Sequence, residues 1–198
     1  MRKPALFVCV SVAALLSVGS VLAADLVPAR IEAARLAHAK GDWAKATAEL
    51  EAAVAELHFR LGNGLGEFMP APLTGWRGDA VEIQGLASTG GGLAVSRAYG
   101  RDENSLNATL ILDSPAVSAA AAQFAVIALN QPNIKRVKIG AEDALLRWDA
   151  VTRAGEITIV LGSRVLLQIE GDSLGHSDLL VEAAKGWNIA GIRKLLGL

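Results

Sequence analysis

The residues best suited to bind a metal or move a proton near neutral pH are three histidines, His38, His58 and His176. A metal site needs ligands that converge, such as two histidines four apart on a helix or a facing trio, and these three have no such spacing. Neither a metal site nor a bound cofactor is expected. His176, just ahead of Ser177 and Asp178, is placed at a helix start and is the residue offered as the base of a hydrolase or isomerase. Nucleophilic catalysis also needs a serine on a strained strand-to-helix turn, as in a Gly-x-Ser-x-Gly elbow, and neither the elbow nor a strained serine is expected. Ser114 follows a strand, but Pro115 beside it marks a helix cap. The run Gly90-Gly91-Gly92 is followed by an alternating strand and by no Lys-Ser or Lys-Thr, which makes it a hairpin loop rather than a phosphate cradle. Paired carboxylates do acid–base work in clefts, whereas Asp102-Glu103 and Glu142-Asp143 fall in expected turns. No catalytic residue is assigned.

The elements that would position any site begin after an export signal. Arg2 and Lys3 precede an apolar run from Pro4 to Val18, and Val21-Leu22-Ala23 has the small-x-small form of a cleavage site. Residues 1–23 are therefore expected to be a signal peptide, and the mature protein to be periplasmic. The alternative is an uncleaved anchor, which needs roughly 20 apolar residues and is softened here by Ser11, Ser17, Gly19 and Ser20. Cys9, the single cysteine of 198 residues, sits inside that run, so the mature chain has no thiol and no disulfide. Cleavage takes two of 19 basic residues and none of 20 acids, moving the formal charge from −1 to −3. That balance argues against nucleic acid as a partner.

Residues 24–64 are expected to form a helical hairpin. The alanine-rich stretch to Lys40 has high helix propensity, Gly41 stops it, and Asp42 caps the next helix. Trp43, Ala46, Leu50, Val54, Leu57 and Leu61 recur at helical steps as a core-facing stripe, and Gly62-Asn63-Gly64 is the expected end. Gly41-Asp42-Trp43-Ala44-Lys45-Ala46, followed by Leu50, Ala53 and Val54, resembles the second helix of a tetratricopeptide repeat. The match covers one unit, with alanines in the first helix where larger residues are usual and His58 where proline often closes the repeat. A single unit cannot bury its own face, so the hairpin is expected to pack on the rest of the protein.

Residues 65–198 change to a strand period. A Pro/Gly loop over 65–78 precedes strands near 80–86, 93–99 and 105–112, then a helix from Pro115, then strands at 134–139, 144–149, 157–161 and 165–170. Two short helices, 177–185 and 189–196, close the chain. Successive strands with few crossover helices favour an antiparallel sheet, so the expected class is an α+β sandwich with helices on one face. This order resembles the fold of exported photosystem accessory proteins and their Mog1-like relatives. Phe68-Met69-Pro70-Ala71-Pro72-Leu73-Thr74-Gly75-Trp76, Val95-Ser96-Arg97-Ala98-Tyr99 and Leu112-Asp113-Ser114-Pro115 together resemble a family of exported proteobacterial proteins with no assigned activity, which implies no catalytic residues.

The helix from Ala116 to Leu129 is apolar on nearly every side, interrupted by Ser118 and Gln123. Such a helix is either buried, here between the sheet and the hairpin, or covers a partner, a second subunit or a lipid. The leading expectation is a non-enzymatic binding domain of the cell envelope. Its partner would be an envelope protein, an apolar ligand or another copy, with Trp76, Phe124 and Ile127 as the candidate surface. The rival is a small-molecule or lipid carrier with a pocket lined by Phe124, Ile127, Trp148 and Trp187. Trp43, Trp76, Trp148 and Trp187 are read as packing residues, Trp76 being the one expected to be partly exposed.

Overall fold

A computed structural model describes residues 25–126, 131 and 133–198; the expected signal, residues 1–23, and Ile127 lie outside them. Asp25 accepts a hydrogen bond from the Val27 amide at 3.1 Å and starts helix α1, Leu26–Ala39. Gly41 turns the chain with φ of 76°. Asp42 then accepts from the Lys45 amide at 3.1 Å and starts α2, Trp43–Gly66. This helix runs straight through Gly62-Asn63-Gly64, where the sequence expects it to stop. The glycines there serve packing: a Cβ on Gly62 would lie 2.5 Å from Cγ2 of Ile83, and one on Gly64 would meet Leu195 at 3.4 Å.

Eight strands follow among the described residues: β1 (Arg77–Gly78), β2 (Glu82–Gly85), β3 (Leu93–Arg101), β4 (Asn104–Leu112), β5 (Ile134–Ile139), β6 (Glu142–Asp149), β7 (Ala154–Leu161) and β8 (Val165–Asp172). They form one antiparallel sheet in the order β1-β3-β4-β8-β7-β6-β5, with β2 also paired to β3. Helix α3, Pro115–Val126, carries the chain from β4 to the far edge. The meander β5–β8 then returns to place β8 against β4. Lys135, Arg136 and Lys138 lie on the edge strand β5, where charge opposes pairing with another chain. The fold is α+β with a helical hairpin before an antiparallel sheet.

The core lies on one face of that sheet. Val95, Leu110, Leu167, Ile159 and Ala144 stand in register across five strands, all at most 1% exposed. The end of α2, with Leu65, and helices α4 (Asp178–Lys185) and α5 (Ile189–Leu196) cover this row. Each large aliphatic side chain so buried contributes roughly 1.5–3 kcal/mol. Gly155 and Gly171 pair directly across β7 and β8, and a Cβ on either would press into Leu180. Their bareness lets α4 settle close to the sheet.

Helix α3 lies on the opposite face, across β4, β8 and β7, rather than between sheet and hairpin. Val117 is buried and Phe124 half-buried beneath it, while Ala116, Ala119 and Ala122 face outward. An outward row of alanines offers little apolar area, which is why the helix is stable with one side in water. Beyond α3 that face is polar: Gln168 donates to Glu156 at 2.9 Å, and Arg147 pairs with Glu156 at 2.9 Å.

Candidate functional site

The hairpin is closed by alanines. Ala34 and Ala37 of α1 and Ala46 and Ala53 of α2 are the buried side chains of the seam, together with Val27. Small residues let the two helices approach closely. Two ion pairs cross the seam, Arg30 on Glu49 at 3.0 Å and Arg60 on Asp25 at 2.8 Å, and Arg60 also pairs with Glu56 within α2 at 2.8 Å. The Arg60 guanidinium holds the Asp25 carboxyl below the ordinary carboxylate range.

A seam made of alanines leaves the large apolar residues outside it. Trp43 is 62% exposed, Leu50 50%, Val54 48% and Leu57 48%. Steps of seven, four and three residues put these on one face of α2. His38 meets the Trp43 ring edge-on, with centroids 4.7 Å apart. Ile31, 51% exposed, lies seven residues before His38 and so faces the same way. The result is a continuous apolar flank across both helices. Along α2 it contains Trp43, Thr47, Leu50, Val54, Leu57 and Leu61, none of them ionisable. Its lower end runs under the protein's own body, for Leu61 packs on the core and Leu65 is fully buried. Its upper two-thirds is bare. The sequence reading takes Trp43, Ala46, Leu50, Val54, Leu57 and Leu61 as one core-facing stripe; of these Ala46 is buried in the seam and Leu61 partly buried, and the other four are exposed. The signal against that reading is the alanine set on the same helix, because a two-helix hairpin has one seam.

The residues expected to form a surface are placed elsewhere. Trp76 is a core residue, 7% exposed, with the Arg101 guanidinium 5.2 Å above its ring and no partner for its indole N–H. The exposed tryptophan is Trp43, which the sequence pattern places in the core. Phe124 faces the sheet under α3, on the side away from Trp76, and Ile127 lies outside the described residues. Trp148 and Trp187 belong to the core face, so Phe124 shares no pocket with them. The enclosed space under α3 is about 20 Å³, and that between the Pro70 loop and α4 about 10 Å³. Each is nearer one water molecule than the roughly 300 Å³ of a ligand pocket. Open grooves of about 560 Å³ beside Trp187 and about 500 Å³ beside Trp148 carry Arg193 and Glu142, and Lys135 and Asp149, on their walls.

The expectation of no Gly-x-Ser-x-Gly pattern and no strained serine is overturned at Gly171-Asp172-Ser173-Leu174-Gly175, which has that spelling. Ser173 follows β8 with φ of 58°. Its surroundings are those of a braced turn. The Leu174 amide, the donor that would face an oxyanion, donates instead to the Arg153 carbonyl at 2.9 Å. Arg153 in turn donates to the carbonyls of Ser173 at 2.8 Å and Leu174 at 2.9 Å. The Leu174 side chain is fully buried in the core. Ser173 Oγ contacts Asp172 Oδ2 at 3.4 Å, and α4 begins only at Asp178. His176 Nδ1 lies 4.0 Å from Asp178 Oδ2, both side chains well exposed.

The remaining motifs are structural. Gly90, Gly91 and Gly92 all have φ near 100°, and a Cβ on Gly92 would collide with the backbone of Leu112 and Asp113. Glu142 and Asp143 open β6 rather than a turn, paired with Arg193 and Lys138 at 2.9 Å. Among the described residues no group of three or more His, Cys, Asp or Glu side chains is placed to hold a metal ion, and no helix is long and apolar enough to cross a membrane. No family model, curated protein or solved structure matches this chain.

Proposed function

We propose that this protein is a non-enzymatic binding domain of the cell envelope, and that it engages a protein partner through the apolar flank of its N-terminal hairpin. The observation that carries the reading is the bare stripe of Trp43, Leu50, Val54 and Leu57, each about half exposed on one helix face. Contiguous apolar surface of this kind marks interaction sites, and tryptophan is enriched at their centres. The envelope assignment rests on the form of residues 1–23, an export signal by sequence. The sheet domain acts as the rigid base, since α2 is anchored in it by Leu65 and projects from it for most of its roughly 36 Å.

The test is site-specific photo-crosslinking in living cells. A photoreactive residue in place of Leu50 is expected to yield a discrete protein adduct. The same residue in place of Val151, 92% exposed on the β6–β7 turn, is expected to yield none. Equal labelling at both positions, or no adduct at Leu50, overturns the reading.

A further inference from the structure

Resting on that reading of the flank as a binding surface, we infer that its occupant is the same flank of a second copy of this chain. Two features of the hairpin point to a self-complementary contact. The first is spacing. Trp43, Leu50 and Leu57 are seven residues apart on one face of α2, so Trp43 and Leu57 lie about 10 Å to either side of Leu50. A twofold axis through Leu50 that runs two hairpins antiparallel sets each Trp43 on Leu57 of the other copy, and Leu50 on Leu50. Such isologous matching is the rule for paired subunits. The body of the protein closes the stripe just beyond Leu57, where Leu61 enters the core, so the tip of the second hairpin ends where free surface ends.

The second feature is area. A tryptophan side chain presents about 150–250 Å². The exposed fractions of Trp43, Leu50, Val54, Leu57 and Ile31 then amount to roughly 500 Å² per copy, or about 1,000 Å² between two copies. Fully buried, that meets the roughly 1,000 Å² that a specific interface should clear, and Thr47 and the aliphatic stems of neighbouring residues add to it. Along α2 the stripe holds no ionisable side chain to be stripped of water, His38 at the edge of Trp43 being the imidazole that borders it, and the charges beside the seam already pair within the hairpin.

The experiment uses the full chain with Cys9→Ser, so that introduced thiols are the only ones. Sedimentation equilibrium is expected to show a dimer, and Leu50→Glu is expected to weaken it at least about tenfold. Leu50 is half exposed, and an unchanged circular dichroism spectrum checks that the variant still folds. Under mild oxidation Leu50→Cys is expected to give a disulfide-linked dimer. Trp43→Cys alone is expected to give none, because the axis holds those two positions about 20 Å apart, beyond the ~7 Å reach of a disulfide. A monomer at all concentrations, or Trp43→Cys linking as readily as Leu50→Cys, overturns the second copy as occupant. The two readings separate on adduct mass. A Leu50 photo-adduct of twice the chain mass supports both, one of any other mass leaves the binding surface standing without self-pairing, and no adduct removes both.

Discussion

Tyr99 donates its hydroxyl to the Pro70 carbonyl at 2.6 Å and ties the proline loop to β3. Burial pushes its phenol up to about 12 from an ordinary 10.0. A pKa raised in the folded state favours the protonated form, so this contribution to stability is complete below about pH 10 and fades as the pH rises toward 12. Tyr99→Phe is expected to cost about 1–2 kcal/mol at neutral pH in urea unfolding, the carbonyl being left without its donor. The same variant should flatten the alkaline part of the stability profile. Ser173 offers a test of opposite sign. At a φ of 58° a side chain is strained and glycine is not, so Ser173→Gly is expected to gain up to ~1 kcal/mol. The Gly-x-Ser-x-Gly pattern around it is local to five residues and the sequence reading passes over it, whereas the Arg153 brace that turns it into a structural corner is out of reach of any local reading, because Arg153 is distant in the chain. Unequal rates of ester hydrolysis between wild type and Ser173→Gly would falsify the structural assignment. The tryptophans show the same limit of local reading. Trp43 and Trp76 each sit beside ordinary turn signals, and which of them is buried depends on what packs across from them.

Helix α2 shows what sequence spacing conveys and what it leaves open. Its N-cap, its start and its apolar period are all legible, as are nearly all the strands, because capping chemistry and the period of two are local properties. Its end is not legible, because glycines that break an isolated helix are here the contact points for Ile83, Val81 and Leu195. Gly62→Ala in an exposed helix would stabilise by about 1 kcal/mol. In this helix the added methyl meets Ile83, and the variant is expected to lose about 1–2 kcal/mol in thermal or urea unfolding. Combined with Ile83→Ala, the sign should reverse, Gly62→Ala then raising stability above that of Ile83→Ala alone. The placement of α3 was equally out of reach. Its sequence is apolar on every side, so the period carries no direction, and only the apolar end of the sheet's second face decides where it lies. The candidate surface stayed hidden for a related reason: α2 carries two apolar sets, and hydropathy alone ranks the large one, not the alanine one, as the buried set.

At the scale of the whole molecule, the hairpin and the sheet differ in how they depend on one another. Helix α1 packs on α2, whereas the final turns of α2 belong to the main core through Leu61 and Leu65. A chain beginning at Leu57 is therefore expected to keep the sheet domain folded, with a single cooperative urea transition and retained near-ultraviolet signal. A chain beginning at Gly66, which lacks Leu61 and Leu65, is expected to lose that cooperativity. The sheet itself consists of an early portion, β1–β4, and a late meander, β5–β8, and among the described residues the only strand pairing between them is β4 with β8. That joint lies at the centre of the sheet, yet it is supplied by residues 165–172 of a chain of 198. During synthesis, β4 thus waits with an open edge while more than fifty residues are added behind it, and the core row remains divided. A nascent chain released before β8 has emerged has two unjoined half-sheets and no means of closing either, so this architecture makes synthesis through β8 a condition of folding the sheet.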